Sequence, residues 1–214
     1  MPDLSAIGRQ FRYSKAKRNY RVIEMRVTRE KAAQNRDDVL NKASELLRAR
    51  GPDGVGIADL MRSVGLTPGG FYGAFGSKAG LIAEASVRAL EKNVEYWKQF
   101  NPASFAQEVP RRMAEYLDAS FRDGPAHGCL VSALGPELSR QGEQTRHLVT
   151  EGVKQLLDVL EHRMPAKLLA QRRAQAIAAY AATVGALVLV RLVDDEALAS
   201  EIRDAVANAM PSPQ

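Results

Sequence analysis

The sequence predicts an all-α fold, and three observations predict it. Apolar side chains recur three and four positions apart over most of the 214 residues, the period of helices with one face turned inward. Glycine and proline pairs interrupt that period where helices would end, and nowhere does apolar and polar alternation last long enough for a strand. Composition agrees: alanine is abundant and aromatic residues make up only 6 %, whereas sheets favour aromatic and β-branched residues.

The elements follow in order. Ala32, Ala33, Leu40, Ala43, Leu46 and Leu47 share one helical face and stop at Gly51-Pro52, so a first helix is expected from about Thr28 to Arg50, closed by a glycine and a residue that cannot continue it. Ile57, Leu60, Met61 and Val64 mark a short second helix ending at Gly65, a corner that calls for positive φ. Thr67 suits the cap of a third helix with Pro68 at its first position, running to about Phe75. Ser77 caps a fourth reaching about Phe100.

Further helical stretches are separated by Asn101-Pro102, Asp123-Gly124-Pro125, Gly135-Pro136, Gln141-Gly142, Met164-Pro165 and Asp194-Asp195. The segment 167–193 is apolar on almost every side beyond Ala174, and Leu198, Ile202, Ala205, Val206 and Ala209 form a stripe on the last helix. A helix apolar all round has to be covered all round, which points to a second subunit. The longest apolar run, Ala176 to Val190, is shorter than the roughly 20 residues of a membrane span, so it is expected as a buried helix, with no membrane partner.

Composition excludes several function classes. Hydrophobic residues at 45 % and charged residues at 26 % are those of a globular protein. A lone Cys129 rules out an intrachain disulfide, and with His127, His147 and His162 it permits no zinc spacing. A reducing cytoplasm is expected; no export signal opens the chain. There is no phosphate loop after a strand, no nucleophile elbow and no Ser/His/Asp cluster, so neither catalytic residues nor a metal nor a cofactor is expected. Charge is distributed unevenly: net +5 over residues 1–27, +2 over 28–80 and −2 over 81–214. Positive charge thus collects where a polyanion could be met.

Two short helices joined at Gly65, behind a supporting helix, form a helix-turn-helix pattern. Leu60, Val64, Leu66, Phe71 and Phe75 can close its core, leaving Thr67, Pro68, Gly69, Gly70, Tyr72 and Gly73 on the outer face. At Ile57 to Lys78 the sequence resembles the DNA-binding signature of the TetR family of bacterial transcriptional regulators, a likeness that runs from about Met25 to Leu81. Weaker likenesses at 128–134 and 184–191 are to the ligand-binding half of one TetR subgroup.

The resemblance implies an N-terminal three-helix DNA-binding domain (28–80), a larger helical effector-binding and dimerisation domain (81–214), and a basic extension (1–27). It implies that Thr67 and Tyr72 face phosphates, that Gly69, Gly70 and Gly73 lie close to base edges, and that Lys78 binds backbone. The chemistry suits those roles: Thr and Tyr donate hydrogen bonds and Lys supplies charge. Two positions depart from the family pattern, Ala74 for a common His and Gly56 for a common Ser or Thr, which removes two phosphate contacts. The glycines leave few side chains for bidentate base contacts, so DNA shape carries more of the readout.

Bland readings stand beside these: Tyr72 packed in the small core, Lys78 a solvated charge, the leader a solubilising tail. Met25-Arg26-Val27-Thr28-Arg29 also reads like an ordinary start for the family, which makes residues 1–24 either an upstream misassigned start or a basic arm that follows phosphates or enters the minor groove.

For the effector half, Tyr96, Trp97, Phe100, Met113, Tyr116, Phe121, His127, Cys129 and Tyr180 are the side chains from which a small-molecule pocket could be built, or which simply fill the core. Cys129 is either a redox or alkylation sensor or a buried, inert thiol. The resemblance implies a homodimer, its last two helices pairing into a four-helix bundle, with recognition helices about 35 Å apart on a palindromic operator. An inducer that tilts the fourth helix would then release DNA. An enzyme and a helical carrier that has lost DNA binding are the competing classes.

Overall fold

The computed structural model describes residues 28–165 and 169–211; the leader, with the basic-arm and start-site readings, lies outside the described residues. All regular structure among the described residues is helical: α1 (28–50), α2 (Ile57–Ser63), a 3-10 turn (Pro68–Gly70), α3 (Phe71–Phe75), α4 (Lys78–Lys98), α5 (Pro102–Gln107), α6 (Val109–Arg122), α7 (Leu130–Ser139), α8 (Glu143–Glu161), α9 (Leu169–Leu192) and α10 (Glu196–Asn208). The chain divides into two units, the first ending at Val39 and the second running from Leu40. Within the first, 28–39 is helical and Gln34 Nε2 donates to Asp38 Oδ1 at 2.8 Å.

The helix-turn-helix forms as its punctuation dictates. Gly51, Gly65 and Gly76 all take positive φ. At Gly65 two carbonyls left open by α2 are used: Gly65 N–H donates to Arg62 O at 3.0 Å and Leu66 N–H to Met61 O at 2.9 Å, the paired bonds of a glycine-closed helix end. Leu60, Met61, Phe71 and Phe75 are buried, whereas Val64 and Leu66, expected in the same core, are only half-buried. Thr67 adopts the extended cap conformation, yet its side chain makes no capping hydrogen bond, and the third helix opens as a 3-10 turn. Ser77 does cap: its Oγ accepts from Gly80 N–H at 3.0 Å.

In the larger body, α4 packs along α8, and α9 packs against α6, α7, α8 and α10. Asn101 and Asp195 cap α5 and α10 through their carboxamide and carboxylate oxygens. Arg163 is buried and donates to the carbonyls of Val159, Lys98 and Phe100, which ties the end of α8 to the end of α4. Gly152 of α8 faces Leu90 of α4 so closely that a Cβ there would lie 2.6 Å from Leu90 Cδ1.

Three sequence expectations are corrected. Gly135-Pro136 does not interrupt a helix, for α7 runs through Pro136. The stripe on the last helix splits: Ile202 and Val206 pack on the core with Ala199, Ala207 and Met210, while Leu198, Ala205 and Ala209 face outward. And α9, at 24 residues, is long and apolar enough by length and composition to cross a membrane, longer than the run counted from sequence. It is not buried all round either: Ala176, Ala179, Thr183, Ala186, Leu187 and Val190 point inward, and Ile177, Val188, Leu189 and Leu192 are exposed.

Because Gly65 sits at φ +73° with open space around it, Gly65→Ala carries a backbone penalty and no steric one. It should cost about 1–2 kcal/mol, read as a lower urea midpoint at unchanged slope.

Candidate nucleic-acid interface and effector core

The outer face of the recognition segment is bare. Thr67, Pro68, Gly69, Gly70, Tyr72, Gly73 and Ala74 are all exposed, and Tyr72, at 66 % exposure, is excluded from the small core. Its ring meets Phe71 edge-on at 5.2 Å, which holds the phenol outward while Phe71 and Phe75 anchor the segment. Lys78 opens α4, half-buried. Gly69, Gly70 and Gly73 have ordinary negative φ, and a Cβ added to any of them would meet nothing within 4 Å. Neither backbone strain nor crowding accounts for these glycines, each of which costs helix stability relative to Ala, about 1 kcal/mol. The physical consequence is a surface that another body can approach down to the backbone.

The expected pocket residues divide. Tyr96, Trp97, Phe100, Met113, Tyr116, Cys129 and Tyr180 are brought together in the core of the larger body. Trp97 packs at 4.8 Å from both Tyr96 and Tyr116, Tyr96 lies 5.5 Å from Phe100, and Phe105, which sequence reading missed, closes the cluster 5.8 Å from Trp97. Two expected members are elsewhere. His127 is exposed on the loop before α7, three residues past Gly124, which takes φ +70°. Phe121 points to the surface, stacked under the Arg203 guanidinium at 4.6 Å, and it lines an open pocket of about 520 Å³ with Pro125, Arg191, Asp194 and Ala199.

Around Cys129 a polar network forms. The thiol is fully buried, and its Sγ lies 3.6 Å from the Tyr180 hydroxyl. The Tyr116 hydroxyl shares this corner, within bonding reach of Ser120 and Cys129. Arg191 Nη1 donates to Ser132 Oγ at 3.0 Å, and Arg48, 5 % exposed, donates from Nε to Ala126 O and from Nη1 to Ser44 Oγ, both at 2.7 Å. Among the described residues neither guanidinium forms an ion pair with a carboxylate, and burial pushes both below the usual arginine range, for Arg48 against the nearby charge of Glu45. Among the described residues no group of three or more His, Cys, Asp and Glu could hold a metal ion.

The model of the bacterial regulatory proteins of the tetR family matches residues 39–85, the stretch that carries this bare face. Residues 39–85 thus form a tetR-type amino-terminal domain. The sequence matches no curated protein. Solved structures extend the likeness in fold: a TetR-family transcriptional regulator from Agrobacterium tumefaciens (21 % identity, 84 % of this chain and 99 % of that one, TM-score 0.63), reduced NemR from E. coli (20 %, 84 % and 98 %, 0.63) and a tetR-family regulator from Streptomyces coelicolor (20 %, 82 % and 80 %, 0.59). The chain shares the all-helical fold of these TetR-type structures.

Burial pushes the Tyr116 and Tyr180 hydroxyls well above the usual phenol range. Both therefore stay neutral in the folded protein, and their contribution is complete below the unfolded phenol pKa of about 10 and is lost progressively above it. In a tyrosinate absorbance titration two of the six tyrosines should ionise only with unfolding, and stability should fall with pH above about 10.

Proposed function

We propose that the protein is a ligand-responsive repressor that binds a palindromic operator as a homodimer and is released by a small molecule. In this reading residues 28–80 serve DNA binding and 81–214 serve effector binding and dimerisation. The observation that carries it is the recognition segment, anchored inward by Phe71 and Phe75 and left free of any covering element outward. Thr67, whose hydroxyl is not spent on a cap, and Tyr72 would bond phosphates; Gly69, Gly70 and Gly73 would let the backbone meet base edges; Lys78 would supply charge to the DNA backbone.

Dimerisation is supported by the outer face of α9. Ile177, Ala181, Gly185, Val188, Leu189 and Leu192 are exposed at helical spacing, with Leu192 at 76 %, and the small residues at 181 and 185 let a facing helix approach closely. Leu198 and Ala205 of α10 are likewise exposed. Pairing of α9 and α10 with their symmetry mates would cover these side chains in a four-helix bundle. The effector would enter the body that holds the Tyr96, Trp97 and Tyr116 cluster, and it releases DNA only insofar as it favours the non-binding arrangement.

The deciding experiment is footprinting on DNA flanking the gene, with affinity measured across salt. A regulator loses affinity steeply as salt rises. Lys78→Ala should weaken binding and flatten that dependence by about one unit of slope; Gly73→Ala should leave thermal stability equal or higher while lowering DNA affinity at least about tenfold, a loss on the order of 1.4 kcal/mol. Salt-independent or absent binding points to the carrier reading.

The dimer is tested separately. Gly185→Glu, which places a charge in the middle of the apolar stripe, should convert the protein to monomer in light scattering and abolish protection of the paired half-sites, with helical content unchanged.

A further inference from the structure

The loop between α6 and α7 is gripped from two sides. From α1, the supporting helix of the helix-turn-helix, Arg48 reaches across 78 positions of sequence to the carbonyl of Ala126, its guanidinium held in place by Ser44 one turn earlier. From α9, Arg191 bonds Ser132 at the start of α7 and lies so close to Gly128 that a Cβ there would stand 2.9 Å from its Nη2. Between the two grips is Cys129, buried with its thiol against Tyr180 of α9. The loop therefore touches the recognition domain at one end and the aromatic body at the other.

We propose that Arg48 is a positioning residue that couples the helix-turn-helix to the α6–α7 loop, so that DNA held by the recognition domain and the closed state of the loop stabilise each other. The inference rests on the DNA-binding reading above. Its physical basis is the two-point fork: Arg48 holds Ser44 on its own helix and Ala126 on the loop, so on the α1 side the loop opens by breaking the Ala126 bond or by dragging the end of α1 with it. DNA held by the helix-turn-helix that α1 supports would remove the second route. Coupling of this kind is reciprocal, and typical couplings span about 5-fold to 150-fold.

The protein's single cysteine reports the loop. With Cys129 fully buried, its reaction with 5,5′-dithiobis(2-nitrobenzoate) requires the loop to open. In the full-length wild type, saturation with the footprinted DNA should slow the reaction at least about fivefold. In Arg48→Met the free and DNA-bound rates should agree within about twofold while DNA affinity stays within about threefold of wild type; Arg48→Lys, which keeps the charge and reaches one acceptor, should fall between, and it decides the matter on the same readout should the Met variant not fold. A purely structural role would raise the rate equally with and without DNA. The proposal is overturned if Arg48→Met retains the wild-type protection, or if wild type binds DNA normally and shows no protection. A wild type that binds no DNA at any salt overturns the regulator reading and the coupling with it.

Discussion

The larger body is organised by the need to surround α9. Its inward side is built of small residues, Ala176, Ala179, Thr183 and Ala186, with Leu187 and Val190 at the far end, so the bulk that fills the interior has to come from neighbours: Met113, Tyr116 and Leu117 of α6 and Leu156 and Leu160 of α8. Thr183 is admitted because its hydroxyl is satisfied by Ala179 O at 2.8 Å. Close approach on one side and bulk on the other is how interiors reach crystal-like density. Among the described residues the same helix has only one such side covered, an asymmetry that supports the proposed pairing with a second copy.

Most of the helix-turn-helix could be read from sequence because its boundaries are set locally. Gly51, Gly65 and Gly76 take the positive φ that ends each helix, and Ser77 caps the next; such signals depend on neighbours in sequence alone. What could not be read depended on neighbours in space. Nothing local tells that Pro136 continues α7, that the α10 stripe divides between core and surface, or that Phe121 is drawn to Arg203 instead of the aromatic cluster. Arg48 was missed for the same reason. It sits on the inward face of α1, one position past Leu47 and four past Ser44, and an arginine on an apolar face is the one local sign that a distant acceptor must exist.

The recognition segment is held in place by anchors and not by the strength of its own helix. α3 is five residues long and opens from a 3-10 turn, too short for intrinsic helicity to matter, and the segment carries three glycines, Gly69 and Gly70 in the turn and Gly73 in α3. Phe71, fully buried, and Phe75 fix it from within, and the glycine-closed end of α2 fixes the angle at which it leaves. Rigidity is thereby supplied from the inside, which frees the outer surface from any role in stability. A surface so freed can be stripped of side chains, and stripping it is what permits approach by a rigid groove.

The buried cations follow a common rule. Among the described residues Arg48, Arg163 and Arg191 take carbonyl and hydroxyl oxygens as their partners and form no ion pair with a carboxylate. A buried ion pair is hard to part, since separation leaves an uncompensated charge in a low dielectric. A guanidinium on neutral acceptors is oriented by its planar fork, yet losing one acceptor costs on the order of one charge-assisted hydrogen bond. That difference suits the opening proposed for the α6–α7 loop. Arg163, where α4 and α8 join, has three carbonyls and holds firmly, while Arg48 has a single bond to the loop. The number of acceptors, read across these arginines, separates a permanent brace from a latch.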